Sequence, residues 1–122
     1  MQTPPFTLIQ KTPLEIWRAE TWADKEPETI AWIANYMRDG EVFYDIGANI
    51  GVYSLFAAAL YPQMKIFSFE PMAENFSRLQ ENIILNKANN IIPICMAAGK
   101  KSGPSIFYCS NPMPGASGGQ IE

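Results

Sequence analysis

The stretch Val42-Phe43-Tyr44-Asp45-Ile46-Gly47-Ala48-Asn49-Ile50-Gly51-Val52-Tyr53-Ser54-Leu55 decides the fold of this chain. Its first part is an apolar run of β-branched and aromatic residues, which predicts a buried strand over roughly Glu41 to Ile46. Gly47 and Gly51 bracket a tight turn, and the apolar residues that follow predict a helix from about Gly51 to Tyr61. Strand, glycine turn and helix together form the entry of a nucleotide-type βαβ unit. Glycines reach positive φ and let a ligand approach the main chain where a Cβ would obstruct it. A helix that starts at such a turn directs unpaired N–H groups and the positive end of its dipole at the ligand.

Asp45 narrows the choice of ligand. A carboxylate two residues before the first glycine repels a pyrophosphate in the same turn and attracts an ammonium or a sulfonium. A ligand with an amino-acid end carries both signs of charge and suits this turn better than NAD does; S-adenosylmethionine is such a ligand. The next strand is predicted over Lys65 to Phe69, ending at Glu70, with Pro71 closing it off. An acid about 20 residues beyond the glycine turn, at the end of the second strand, is placed to accept from a ribose diol. NAD sites share that acid, so Glu70 supports an adenosyl cofactor in general. The glycine pattern is more selective, because Ser54 stands three residues after Gly51 and the dinucleotide fingerprint G-x-G-x-x-G is absent.

The segments D-I-G-A-N-I-G-V-Y-S, F-S-F-E-P-M-A-E-N-F and L-Q-E-N-I-I-L-N closely resemble the FkbM-type methyltransferases. The resemblance extends upstream through W-R-A-E-T and K-E-P-E-T and downstream to S-I-F-Y-C-S and P-G-A-S, and so covers nearly the whole chain. It implies an α/β, Rossmann-like class I fold: a doubly wound, mostly parallel sheet, here limited to its first half. It further implies that Asp45, Gly47, Asn49 and Gly51 cradle the methionine end of S-adenosylmethionine, that Glu70 holds the ribose, and that a methyl group passes to a hydroxyl oxygen of a small molecule or glycan. No catalytic base and no metal ligand is assigned.

Composition sets outer bounds. At 122 residues the chain can bury one core but is short for this fold, which needs something nearer ~200 residues for the two halves of its sheet. An apolar fraction of 48% and a charged fraction of 17% fit a globular protein. With a net charge of −3 and no basic run, nothing in the electrostatics points to nucleic acid or an anionic membrane. No stretch reaches the roughly 18 apolar residues of a spanning helix, and no signal-peptide pattern opens the chain, so a cytoplasmic location is expected. Cys95 and Cys109 lack zinc-type spacing and are expected to be a reduced pair. There is no histidine, which removes the commonest general base and metal ligand from this segment.

Residues 1–40 read as an N-terminal lead-in and capping helix, and 41–122 as a partial S-adenosylmethionine-binding domain. Met1 to Lys25, punctuated by Pro4, Pro5 and Pro13, is expected to be short strands or irregular structure. Trp17, Arg18 and Trp22 either roof a substrate pocket or, as the preferred reading, the tryptophans pack against the first helix while Arg18 pairs with Glu15 or Glu20. A helix is predicted over Pro27 to Asp39 with Ile30, Ile33, Ala34 and Met37 on one face and Gly40 as its stop. Glu26 and Glu28 suit the positive end of its dipole, a reading preferred to a place at the cofactor mouth. Tyr53 either lines the cofactor site or packs.

A further helix is predicted over Ala73 to Lys87, with Phe76, Leu79 and Ile83 buried and Glu74, Arg78 and Glu81 facing water. The third strand is predicted over Ile91 to Ala97, a short one over Ser105 to Cys109, and a loop thereafter. Met96, Ala97 and Ala98 stand where class I relatives often place an adenine-binding acid.

In the class I fold the first strand is central, so three strands alone leave an apolar central edge exposed. The expectation is therefore the cofactor-binding part of a longer enzyme, its edge covered by a missing C-terminal half, or else by an oligomer. A non-catalytic or fragmentary cofactor-binding module is the alternative, and a nicotinamide oxidoreductase a weaker one, opposed by Asp45 and the glycine spacing.

Overall fold

The computed structural model describes residues 3–98, 107–108, 112–117 and 120–121. Its elements follow the order α1 (Pro13–Glu20), α2 (Pro27–Tyr36), β1 (Val42–Ile46), α3 (Val52–Leu60), β2 (Lys65–Phe69), α4 (Ala73–Leu85), β3 (Ile91–Ile94), β4 (Phe107–Tyr108) and β5 (Gln120–Ile121). The first three strands form one parallel sheet in the order β1-β2-β3, with Asp45 beside Ser68 and Ile46 beside Phe69. Parallel neighbours require crossovers, and α3 and α4 supply them. The βαβαβ unit expected from the glycine turn is therefore present, with β1 at one edge. Ile33, Ile50, Leu55, Met64, Ile66 and Leu79 are fully enclosed between the helices and one face of this sheet.

The other face is bare among the described residues. Val42, Tyr44 and Ile46 are more than half exposed at 53%, 61% and 56%, so β1 offers both an unpaired edge and an apolar surface. Tyr44 stacks on Phe67 at 5.5 Å between ring centroids. A parallel sheet normally has both faces covered, and the exposed apolar edge expected for three strands is accordingly found. No helix among the described residues is long and apolar enough to cross a membrane.

Several boundaries and contacts differ from the sequence reading. Residues 13–20 are a helix, not irregular structure. Thr12 caps it by accepting from the Glu15 N–H, while Glu15 accepts from the Thr12 N–H, and Pro13 occupies the first turn. The signature T-P-L-E is a capping box with proline at N1, so here proline starts a helix instead of interrupting one. Arg18 pairs with neither Glu15 nor Glu20; its Nε donates to the Gly115 carbonyl at 2.6 Å. The partner of Glu15 is Arg78, which lies across the fold on α4 and is only 12% exposed, not a solvated charge. Helix α2 ends at Tyr36, before Gly40, because Met37 turns extended; Ile33 is its one buried residue and Ala34 is exposed.

Helix α4 buries Asn75, Leu79 and Asn82, with Phe76 and Ile83 only half-buried. These asparagines are tools for holding main chain. Asn82 accepts from the Ile9 N–H and donates to the Ile50 carbonyl, each at 2.9 Å, and Asn86 accepts from and donates to Thr7. The lead-in thereby satisfies its backbone against side chains where no strand partner exists. Strand β3 stops at Ile94, short of Ala97. Of the predicted strand Ser105 to Cys109, only Phe107 and Tyr108 are described; they pair antiparallel with Gln120 and Ile121, where a loop was expected. Cys109 lies outside the described residues, and Cys95 is free and exposed.

Candidate functional site

The carboxyl ends of β1 and β2 converge at the glycine turn. Gly47, Asn49 and Gly51 all have positive φ, at 72°, 56° and 105°. A Cβ on Gly51 would lie 2.7 Å from the Leu79 side chain, so this position closes on α4 without room for more than hydrogen. The N–H groups of Gly47 and Ala48 both donate to the Phe69 carbonyl at 2.9 Å, and that of Asn49 donates to Glu70 Oε1 at 2.7 Å. Glu70 Oε2 accepts from the Met72 N–H at 2.9 Å. Glu70, 5% exposed, thus ties the β1–α3 turn to the β2–α4 turn with one carboxylate.

Asp45 lies beneath the turn, 6% exposed. Its carboxylate accepts from Ser54 Oγ at 2.6 Å and from the Ser54 backbone N–H. Ser54 is the third residue of α3, whose own cap is Gly51 and provides no side chain. Asp45 therefore caps the helix from the strand, and Ser54 Oγ continues to Ser68 Oγ at 2.5 Å. Burial raises the Asp45 carboxyl from 3.8 to about 6, despite the Ser54 hydrogen bonds, and the nearby Glu70 and Glu26 add to the rise.

Above the turn is a cavity of about 130 Å³ lined by Gly47, Ala48, Asn49, Val52 and Tyr53 from the βα entry and by Arg18, Thr21, Trp22, Lys25 and Glu26 from the N-terminal helices, with Ser117 at its rim. Of the five sequence-derived site residues, Gly47 and Asn49 reach this cavity directly. Asp45, Gly51 and Glu70 lie outside its lining. Asn49 donates through Nδ2 to the Ala116 carbonyl at 2.8 Å, while its Oδ1 is buried with no hydrogen-bond partner among the described residues. An orphaned acceptor beside open space at Gly47, where an added Cβ meets nothing within 4 Å, is consistent with a polar ligand at this turn.

The N-terminal residues have mixed fates. Trp22 is 4% exposed, edge-on to Phe6 and tilted on Phe56 of α3, so it packs in the core while one side faces the cavity. Trp17 is 43% exposed and sits beside Arg18 and Lys25 instead of packing inward. Tyr53 lines the cavity and donates its hydroxyl to Glu26 Oε2. Burial, and then this bond, hold the phenol well above its ordinary pKa, so it remains a donor. Glu26 makes no side-chain bond to the start of α2. It stands at the N-cap of α2, the positive end of that dipole, and also lines the cavity. Burial lowers the pKa of Arg18, whose guanidinium forms no ion pair among the described residues.

The segment P-G-A-S, residues 114–117, is marked in the sequence only by the resemblance, with no structural role. Asn75 accepts from the Gly115 N–H at 2.7 Å, both Asn49 and Asn75 donate to the Ala116 carbonyl, and Thr12 Oγ1 donates to the Pro114 carbonyl. This strap ties the glycine turn at Asn49 to α4 at Asn75 and to the start of α1 at Thr12. Its P-G-A-S sequence carried no chemical signal, since it contributes main chain.

Comparison with known proteins places this geometry. The model of the TRM5/TYW2 methyltransferase domain matches residues 16–102. The 31-O-demethyl-FK506 methyltransferase FkbM of Streptomyces tacrolimicus is 34% identical over 59 residues, 48% of this chain and 23% of that protein. The hexuronic acid methyltransferase AglP of Haloferax volcanii is 29% identical over 105 residues, 86% of this chain and 41% of that one. Among solved structures, the precorrin-6y C5,15-methyltransferase of Geobacter metallireducens superposes with a TM-score of 0.59 at 24% identity over 78% of this chain and 46% of that one. The chain spans less than half the length of these relatives. A Rossmann-like parallel sheet, an acid-tipped glycine turn and a match over most of its length together show that the chain belongs to the TRM5/TYW2 methyltransferase-domain family, as a homologue of FkbM-type enzymes on the class I fold whose cofactor is S-adenosylmethionine.

Proposed function

We propose that this chain forms the cofactor half of an S-adenosylmethionine-dependent O-methyltransferase. The observation that carries the reading is the negative field around the glycine turn: Asp45 stays buried beneath it without an ion-pair partner among the described residues, with Glu70 and Glu26 close enough to raise its pKa further. Three carboxylates in one place disfavour a pyrophosphate and favour a cation.

When bound, the cofactor supplies an activated methyl on a sulfonium. The residues of this chain orient it. Gly47 and Asn49 flank the methionine end, Gly51 lets the turn close on α4, Asp45 contributes charge from below, and Glu70 stands at the ribose position with lone pairs beyond those given to Asn49 and Met72. Positioning of this kind supplies much of the acceleration in methyl transfer, because the thioether leaves without protonation. Asp45, Gly47, Asn49 and Gly51 at one end and Glu70 at the other would hold the cofactor so that its methyl is presented to an acceptor oxygen in line with the sulfonium.

The acceptor is a hydroxyl of a small molecule or glycan. The Streptomyces relative, a 31-O-demethyl-FK506 methyltransferase, supports an oxygen acceptor on a small molecule, and the Haloferax relative, a hexuronic acid methyltransferase, supports a sugar-type acceptor; a net charge of −3 with no basic run fits both.

Calorimetric titration with S-adenosylhomocysteine and, in parallel, NADH tests the cofactor. Saturable binding of the first alone, weakened in Asp45→Asn, is expected. NADH binding, or equal affinity in the variant, would overturn the reading of Asp45.

A further inference from the structure

The cavity at the glycine turn is polarised. Arg18 extends from α1 into the cavity lining and is fixed through Nε to the Gly115 carbonyl at 2.6 Å, which leaves its remaining guanidinium N–H groups without an ionic partner among the described residues. A half-buried guanidinium without a direct ion pair keeps N–H groups to offer an anion. Glu26 lines the same cavity and is held by the Tyr53 hydroxyl through one oxygen, Oε2, while its second oxygen makes no hydrogen bond among the described residues. A carboxylate steered by a protonated phenol is a fixed negative pole. No direct ion pair joins Arg18 to Glu26, so both charged groups line the same cavity beyond salt-bridge distance, with Glu26 near enough to favour the charged guanidinium.

We propose that Arg18 and Glu26 form the two poles of a zwitterion clamp, Arg18 taking the α-carboxylate and Glu26 the α-ammonium of the cofactor's amino-acid end. The inference rests on the proposed cofactor reading and deepens it. Asp45, the acid singled out by the sequence, has its hydrogen bonds committed to Ser54 below the turn; the carboxylate that actually faces the cavity is Glu26. A carboxylate borne by the methyl acceptor has the same chemistry as that of the cofactor, and the choice of probe separates the two.

The test compares S-adenosylhomocysteine with 5′-methylthioadenosine, which shares the adenosyl group and lacks the amino-acid end, on the full 122-residue chain. In Glu26→Gln, which keeps an acceptor for Tyr53, S-adenosylhomocysteine binding is expected to weaken at least tenfold and methylthioadenosine binding to stay within twofold. Arg18→Met is expected to show the same split. N-acetyl-S-adenosylhomocysteine, which lacks the ammonium, provides a measurement on the unaltered chain: it is expected to bind at least tenfold more weakly than the parent. Unchanged binding of S-adenosylhomocysteine in Glu26→Gln, with the unaltered chain still binding it, would overturn the clamp and leave the cofactor reading standing. Equal weakening of both ligands would also overturn it, by showing that Glu26 only shapes the site. Equal affinity of the N-acetyl compound would do so without any variant. If the unaltered chain binds neither adenosyl ligand, the cofactor reading fails and the clamp with it. A carboxylate of the acceptor as the true partner of Arg18 would appear as Arg18→Met binding S-adenosylhomocysteine normally, which again refutes the clamp.

Discussion

Replacing Asp45 by asparagine is expected to make the protein more stable and worse at binding. The carboxyl group is 6% exposed and its pKa rises from 3.8 to about 6 on folding, chiefly through burial. A raised acid binds its proton more tightly when folded than when unfolded, so stability from this group is fully present below 3.8 and is lost as pH rises through about 6. Between 3.8 and about 6 the difference converts, at about 1.4 kcal/mol per pH unit, to about 3 kcal/mol. Asparagine keeps an oxygen to accept from Ser54 and removes the charge; its amide N–H₂ beside Ser68 costs about 1 kcal/mol if it finds no acceptor. At pH 7.5 Asp45→Asn should therefore gain about 2–3 kcal/mol over the unaltered chain, and at pH 4 the two should agree within about 1 kcal/mol. Urea unfolding followed by far-ultraviolet circular dichroism at both pH values measures this. The difference between the two proteins is the quantity to follow, because the other titrating groups are common to both and cancel. A gap that stays constant from pH 4 to 7.5, or a variant less stable at pH 7.5, would refute the idea that Asp45 is held ionised at a cost. A charge kept in spite of that cost is what a cation-binding site requires.

Three other perturbations test the frame around the site. Gly51→Ala puts a Cβ 2.7 Å from the Leu79 side chain at φ +105°, and should lower stability by about 2–4 kcal/mol, read as a fall in Tm. Arg78→Met removes the partner of Glu15, a fully buried carboxylate; leaving that charge uncompensated should cost about 3 kcal/mol at neutral pH by urea unfolding. Tyr44→Lys with Ile46→Lys, on the bare face of β1, should reduce concentration-dependent self-association in sedimentation velocity, with stability unchanged within about 1 kcal/mol.

The stretch Val42–Leu55 determined the fold by itself. Local geometry explains why: glycines at positive φ, an apolar strand and an apolar helix each declare their conformation over a few residues, and Glu70 lies at a distance set by one crossover. T-P-L-E carries a capping box with proline at the first helical position, but the prolines of the lead-in led to an expectation of irregular structure there. Packing, by contrast, assigns each polar group its partner. Glu15 and Arg78 are 63 residues apart and Asn49 and Ala116 are 67 apart, and no periodicity encodes such pairings. Buried asparagines on α4 interrupt the apolar stripe that a helix reading relies on, because their work is to satisfy lead-in and strap backbone. For the same reason the local sequence could not choose for Glu26 between the helix dipole, the reading preferred, and the cofactor mouth, whereas packing sets it in the cavity lining. Orientation is a property of packing, and packing brings together residues that the chain keeps far apart.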